Sequence, residues 1–258
     1  MVTIQLNGQE LTVPENRMVL EVARNQGLDI PTLCFHEALG PYGACRLCLV
    51  EAEGPTLRKG LLASCTLTVS PGMVIETDSP PVVQARKVVL ELLLGRAPES
   101  RPLKALAERF GVTTSRFGNE AQGNCVRCGL CVRVCREKIG AAALCFAGRG
   151  QKKQVTAEFG QLSETCIGCG TCVNLCPADA IHLEDLGDQR RIFLPENTIS
   201  RLPLVACRLC ETPFQTEKFI AYVRHKSDIE GATTIPQDIC PSCARKVYAE
   251  TITGDFLV

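Results

Sequence analysis

Apolar and polar positions alternate from the first residues. Val2, Ile4 and Leu6 stand on one side of the strand VTIQL, Asn7-Gly8 is a tight-turn signal, and LTV returns as a second strand. MVLEVARNQG then shifts to helical spacing and stops near Gly27. LCLVEAEG and the turn-bounded GMVIET read as further strands. Ser79 followed by two prolines is a helix start, and Val82, Ala85, Val89, Leu92 and Leu93 keep helical spacing until Gly95, which predicts a helix over 81–94. Leu103, Leu106, Ala107 and Phe110 predict another between Pro102 and Gly111, with a stripe suited to core packing. AAALCFAG reads as a short buried strand, and beyond Ile192 the pattern changes character. Boundaries are expected near residues 80, 112 and 191, giving parts 1–80, 81–112, 113–191 and 192–258.

Composition narrows the class. An apolar fraction of 45% over 258 residues suffices for a packed core. The apolar run VVLELLL contains Glu91 and is too short to span a bilayer, so no direct membrane insertion is expected. Lys+Arg and Asp+Glu balance at 28 each, which leaves no global basic field for nucleic acid or anionic lipid. The unusual number is 17 cysteines. MVTIQLNGQELTV lacks the charged start, apolar stretch and cleavage site of an export signal, so a reducing, cytoplasmic compartment is expected. There, repeated close cysteine spacings are metal ligands rather than disulfides.

The most specific pattern is an internal duplication. CVRCGLCVRVC and CIGCGTCVNLCP share the spacing C-x2-C-x2-C-x3-C. Three thiolates on one tight loop, with a fourth at the start of a helix that serves the other cluster, is how two adjacent [4Fe-4S] clusters are held. By that rule Cys125, Cys128, Cys131 and Cys176 hold one cubane, and Cys166, Cys169, Cys172 and Cys135 hold the other. Gly129, Gly168 and Gly170 suit loops that wrap closely around a cluster. Pro177 follows the last cysteine as in the known run, whereas the first copy has Arg136 in the equivalent place. Two zinc ions are the weaker alternative, since structural zinc usually joins two separate knuckles.

Cys34, Cys45, Cys48 and Cys65 have the order single, close pair, single, and this set resembles a [2Fe-2S] ferredoxin with a longer first gap. His36 lies near Cys34 and reads as a surface or supporting residue rather than a ligand. At the other end Cys207, Cys210, Cys240 and Cys243 form two distant C-x2-C knuckles, as in a zinc ribbon; a structural zinc or a third [4Fe-4S] cluster would both suit four thiolates. Cys145 has no motif partner and reads as a small hydrophobe, and the glycines at 148 and 150 lack the context of a dinucleotide loop.

The gap pattern C-x10-C-x2-C-x16-C, with LCFHEALGPYGACRLCLVEAEG, is similar to the large iron–sulfur subunit through which electrons enter respiratory complex I, and to related hydrogenase and formate dehydrogenase subunits. The likeness continues through ARKVVLELLL and the duplicated motif to about residue 190. It implies a β-grasp [2Fe-2S] ferredoxin domain, a short helical linker and a bacterial-type 2[4Fe-4S] ferredoxin domain; with the small four-cysteine zinc-ribbon-like module read from the cysteine spacing, the whole is an α+β chain. It also implies a flavoprotein partner that oxidises NAD(P)H, a further catalytic subunit and exchange with soluble ferredoxin. The helical stretch 81–111 and the carboxy-terminal module are candidate docking surfaces.

Two departures qualify the likeness. Where the family carries a His-x3-Cys-x2-Cys stretch for an extra [4Fe-4S] cluster, this chain reads GRAPESRPLKALAERF, without histidine or cysteine. The path from the [2Fe-2S] site to the cubanes is then shorter, branched or completed by a partner. No molybdopterin or hydrogen-activating segment is read in the sequence. A nucleophilic triad, phosphate loop or acid–base pair is likewise not read, so the chain is expected to transfer electrons without converting a substrate itself. The contrasting class is a redox-sensing or scaffold protein whose ribbon binds a partner or nucleic acid.

Overall fold

The computed structural model describes residues 1–118, 123–226 and 238–254, the last five of these by backbone alone. Parts of the expected carboxy-terminal module, 227–237 and 255–258, lie outside the described residues. The first sheet has the order β2-β1-β5-β3-β4, built from β1 (Val2–Leu6), β2 (Gln9–Val13), β3 (Leu49–Gly54), β4 (Leu57–Ala63) and β5 (Val74–Glu76). β1 and β2 pair through Asn7 and Gly8, whose φ values of 50° and 78° are the left-handed pair that a tight hairpin needs. β5 runs parallel to β1 and antiparallel to β3. Helix α1 (Val19–Asn25) buries Val19, Leu20, Val22 and Ala23 in one core with Ile4, Leu6, Val50 and Ile75. β4 was not read from the sequence: LRKGLLA does not alternate cleanly, and as an edge strand it pairs only with β3.

Helices α2 (Pro80–Arg96) and α3 (Arg101–Arg109) form more than a linker. Leu90 and Leu94 of α2 and Leu103 and Ala107 of α3 share a core with Leu33, Leu47, Leu130 and Val134, from the segments on either side. Ser100 caps α3 by accepting from Leu103 N–H (3.4 Å), and its buried hydroxyl donates to Ala178 O (2.8 Å). The segment between the two cysteine-bearing halves therefore holds them together.

The duplicated segment contains α4 (Leu130–Val134), a π-helical turn Cys135–Ile139, a two-stranded ribbon of β6 (Cys145–Ala147) and β7 (Gln154–Thr156), and the short α5 (Thr171–Asn174). In AAALCFAG only the last part is a strand: Ala143 and Leu144 are buried in a loop, while Cys145 is half-buried opposite Thr156. A second sheet follows in the order β11-β10-β9-β8, from β8 (His182–Leu186), β9 (Gln189–Leu194), β10 (Asn197–Ala206) and β11 (Pro213–Thr216). The boundary expected at 191 falls inside β9. Ile192, Leu194, Ile199 and Leu202 of β9 and β10 pack with Val132, Val155 and Ile181, so this sheet closes the core of the duplicated segment before its far edge enters the four-cysteine module. Helices α6 (Glu217–Lys226) and α7 (Pro241–Gly254) complete the described chain. Among the described residues, no helix is long and apolar enough to cross a membrane.

Arg86 is the largest polar side chain sealed in this frame, 1% exposed. It donates from Nη2 to Leu49 O (2.8 Å) and from Nη1 to Asp78 (2.9 Å), tying α2 to the first sheet. Replacement by leucine strands the Leu49 carbonyl, so Arg86→Leu is expected to lose about 2 kcal/mol in urea unfolding of the intact protein.

Candidate metal centres

The first group sits at the end of the amino-terminal sheet. Cys34, Cys45, Cys48 and Cys65 are all buried. Cys34 Sγ accepts from Cys45 N–H and Cys45 Sγ from Leu33 N–H, each at 3.4 Å. The sulfurs are close enough to set one another's acidity. Side-chain hydrogen bonds from Cys45 and then Cys65 pull Cys34 down to about 2, and one from Cys65 holds Cys48 near 6. The same contacts together with burial drive Cys45 and Cys65 up. His36 points its Nδ1 at Ala38 N–H (3.1 Å), a local turn bond. Ser64, not singled out in the sequence, is fully buried, and its hydroxyl donates to Cys48 O (2.8 Å).

The duplicated cysteines line two cavities. One is walled by Cys125, Cys128, Cys131 and Cys176 with apolar neighbours such as Val155 and Leu194. The other is walled by Cys135, Cys166, Cys169 and Cys172 with neighbours such as Leu144 and Ile199. Each cavity thus takes three cysteines from one copy and the fourth from the other.

Backbone conformation explains how the loops turn their sulfurs together. In the second copy Gly168 and Gly170 are left-handed, both at φ 73°; the equivalent residues of the first are Arg127 at 56° and Gly129 at 81°. Left-handed residues at matching places coil the loop so that successive amides face one concave side. The fourth cysteines also receive matching bonds: Cys135 Sγ from Ala143 N–H (3.3 Å) and Cys176 Sγ from Ala180 N–H (3.2 Å). Thr171 adds a hydroxyl bond to Cys169 Sγ (3.3 Å).

Burial pushes the thiols of Cys128 and Cys172 up to about 12 and Cys131 well above its usual value. Thiolates gathered in so dry a place call for a cationic centre among them, which the iron of a cluster supplies. The donor set, the apolar walls and the inward amides all suit such a group.

These sites adjoin one another. Cys34, Cys45 and Leu47 share a core with Cys128, Leu130 and Val134. Above that contact Arg133, 7% exposed, donates to Gly40 O (2.7 Å) and to Glu137 (3.2 Å), and its guanidinium lies 4.9 Å from the centre of the Tyr42 ring. Tyr42 in turn lies against Gly129, where a Cβ would come within 2.9 Å of the ring. Burial first, then the charges of neighbouring cysteines that include Cys172 of the other cavity, raise Cys131, so the two cavities are also electrostatic neighbours.

The carboxy-terminal cysteines form a tighter group. The sulfurs of Cys207, Cys210, Cys240 and Cys243 all lie within 4.8 Å of one another, and those of Cys210 and Cys240 are 3.8 Å apart. Four thiolates around one tetrahedral zinc stand about 3.8 Å apart, given Zn–S bonds of about 2.3 Å. Cys207 Sγ accepts from Cys240 N–H (3.2 Å), joining the knuckles. Burial opposes ionising Cys207, but the amides of Cys240, Cys210 and Leu209 outweigh it and hold the thiol near 6. Among the described residues, the apolar ones around this site are few: Phe214, Ile239 and Ala244.

Comparison with known proteins agrees with this layout. The 2Fe-2S iron-sulfur cluster binding domain family matches residues 1–80, and the 4Fe-4S dicluster domain family matches residues 124–180. A crystal structure of an NAD+-reducing [NiFe]-hydrogenase in the H2-reduced state contains a chain 31% identical to this one, with a TM-score of 0.54, over 61% of this chain and 75% of that one. This chain belongs to that family of iron–sulfur electron-transfer subunits. A subunit of the NADH-quinone oxidoreductase of Rhizobium meliloti is 32% identical over 70% of this chain and 24% of its own length. For the NADP-reducing hydrogenase subunit HndD of Solidesulfovibrio fructosivorans the figures are 34%, 70% and 36%. The chain therefore spans about a quarter to a third of these curated family members.

Sequence reasoning missed Tyr42, Arg133 and Ser64, because their roles come from contacts between segments far apart in the chain. Removing the Arg133 guanidinium deletes the Gly40 bond and the Tyr42 contact together. Arg133→Met is expected to cost about 2 kcal/mol at this interface, read as faster amide exchange in residues 36–44 while residues 1–13 stay unchanged.

Proposed function

We infer that the chain is a wiring subunit of a multi-subunit, NAD(P)- and flavin-linked oxidoreductase, such as a hydrogenase, a formate dehydrogenase or a bifurcating ferredoxin/NAD(P) oxidoreductase. The observation that carries this reading is the contact of three cysteine cages in succession through shared core. In this reading Cys34, Cys45, Cys48 and Cys65 hold a [2Fe-2S] cluster in a β-grasp domain. Cys125, Cys128, Cys131 and Cys176 hold the nearer [4Fe-4S] cluster, and Cys166, Cys169, Cys172 and Cys135 the farther. Such clusters, when bound, take up and release single electrons without making or breaking substrate bonds.

The chain's own residues supply the rest. Amides aimed at sulfur stabilise the reduced state and raise the potential, and apolar walls keep water from the sulfur. The placement of Cys34, Cys45 and Cys128 in one shared core supports a path that needs no histidine-ligated cluster between the first site and the cubanes. Relatives named for NADH-quinone and hydrogenase complexes support a flavoprotein NAD(P)H-oxidising partner, with a catalytic subunit beyond it. Soluble ferredoxin is a further exchange partner, in a cytoplasmic setting.

The carboxy-terminal site reads best as a structural zinc in a ribbon-like module. Its sulfur spacing supports a single ion, since a four-iron cube spreads its thiolates farther apart. Metal analysis of anaerobically purified protein tests both assignments: about ten iron atoms and one zinc per chain are expected. About fourteen iron and no zinc would turn the last site into a cluster, and an iron-free protein would end the reading. Cys176→Ser and Cys172→Ser are each expected to abolish the signal of a different reduced cubane in paramagnetic resonance, and loss of the same signal by both would refute the crossed pairing.

A further inference from the structure

We propose that the metal at the carboxy-terminal site acts as a clasp that presses β11 onto the loop of the second cubane, with Arg190 and Thr216 as positioning residues for that cluster. The inference rests on the metal and cluster assignments above.

The knuckle Cys207–Cys210 is the turn that joins β10 to β11. Cys207 N–H donates to Thr212 O (2.9 Å), and Glu211 N–H donates to Cys207 O (2.8 Å). The other knuckle opens α7, so one ion shared by both fixes the turn to that helix. β11 has little else behind it. Its ladder with β10 comprises Leu204↔Thr216, Val205↔Gln215 and Ala206↔Pro213, broken by an irregularity between Val205 and Ala206. The helix that follows, α6, buries no residue.

What β11 touches is the cluster loop. Thr216, 1% exposed, donates from Oγ1 to Ile167 O (2.5 Å) and accepts from Phe219 N–H (3.2 Å) at the start of α6. Arg190, 8% exposed, donates from Nη1 to Gly168 O (2.9 Å) and to the Gln215 side chain, and from Nη2 to Phe214 O (3.4 Å). Asp185 accepts from its Nε and Nη2, both at 2.8 Å, and offsets its charge, so the guanidinium acts here through hydrogen bonds. Lys218 Nζ donates to Glu164 O just before the loop. The approach is close enough that a Cβ on Gly168 would stand 2.7 Å from the Thr216 methyl.

Ile167 and Gly168 lie between Cys166 and Cys169. In a trans peptide the carbonyl and the next N–H point in opposite directions. Holding Ile167 O on Thr216 and Gly168 O on Arg190 therefore turns the N–H groups of Gly168 and Cys169 away from β11, toward the cysteine-lined cavity. Amides facing sulfur are one of the levers on a cluster's potential. β11 thus sets the outer face of the second cubane's loop, and the metal sets β11.

The test uses the full chain, purified without oxygen with its metals, in wild-type, Cys243→Ser and Thr216→Val forms. Iron release to a ferrous-iron chelator is timed while paramagnetic resonance of the reduced clusters separates the two cubanes, and the potential of each is titrated. In both variants iron loss from the second cubane is expected to quicken about tenfold, the factor that one lost buried hydrogen bond gives a local opening equilibrium. Its potential is expected to fall, while the first cubane and the [2Fe-2S] site keep their rates and potentials. Zinc is expected to leave only in Cys243→Ser. If Cys243→Ser fails to fold, the wild-type chain stripped of zinc by a chelator at unchanged iron content takes its place, and Thr216→Val, which retains every cysteine, judges the contact between β11 and the loop. Unchanged release from the second cubane, or equal acceleration at both cubanes, overturns the clasp. Iron in place of zinc in the wild-type tail overturns the metal assignment instead, and the Thr216→Val result still judges the contact between β11 and the loop.

Discussion

Sulfur that is both ionisable and buried is the constraint around which this chain is built. A thiolate withdrawn from water is unfavourable unless a cation or several N–H groups face it, and burial accordingly pushes the thiols of Cys128, Cys131 and Cys172 up. The fold meets the demand with loops rather than with long elements. Left-handed residues turn amides inward, α4 and α5 are only five and four residues long, and the fourth cysteine of each copy begins where a helix end meets the other copy. Arg127 shows the strain this imposes: it adopts a conformation that Gly168 takes freely in the equivalent place. The crossing of ligands follows from the same geometry, since a loop can present three sulfurs to one centre but must send the fourth beyond its own helix.

The second consequence is that the cages cannot be independent. Cys34 and Cys45 pack into the same core as Cys128, and α2 and α3 contribute Leu90, Leu94, Leu103 and Ala107 to it. By apolar contact alone, Leu90, Leu103 and Ala107 hold the amino-terminal sheet at a fixed distance from the duplicated segment. A wire depends on constant separation between its stations, and a packed core with Ser100 and Arg133 pinned across it provides that rigidity.

Local chemistry was legible in the sequence, and long-range contact was not. Cysteine spacing is a statement about how far one loop can reach, so the grouping into cages could be read directly, as could the hairpin at Asn7-Gly8 and the start of α2 at two prolines. β4 escaped because an edge strand with Arg58 and Lys59 carries no alternating signature. AAALCFAG misled because a short apolar run is equally compatible with a buried loop, and Ala143 is held there by its N–H bond to Cys135 sulfur rather than by a ladder. The break in pattern near Ile192 is real in the sequence, yet β9 runs through it, because one sheet closes the duplicated segment on one side and enters the four-cysteine module on the other. Arg190 and Thr216 give no local signal at all. Their roles depend on β9 and β11 arriving at the same loop.

The four-cysteine module shows what happens when apolar core runs out. Among the described residues around its sulfurs, only Phe214, Ile239 and Ala244 supply apolar contact. Four sulfurs within 4.8 Å gather at a single point, where one ion can add the free energy of its bonds to that of the apolar contacts. In the proposed reading that ion orders the module, and whatever the module touches inherits the dependence. Through Thr216 it touches Ile167 and Gly168, between two cysteines of the farther cage. In the proposed reading the last metal of the chain is thus coupled mechanically to the last cluster, without passing an electron itself.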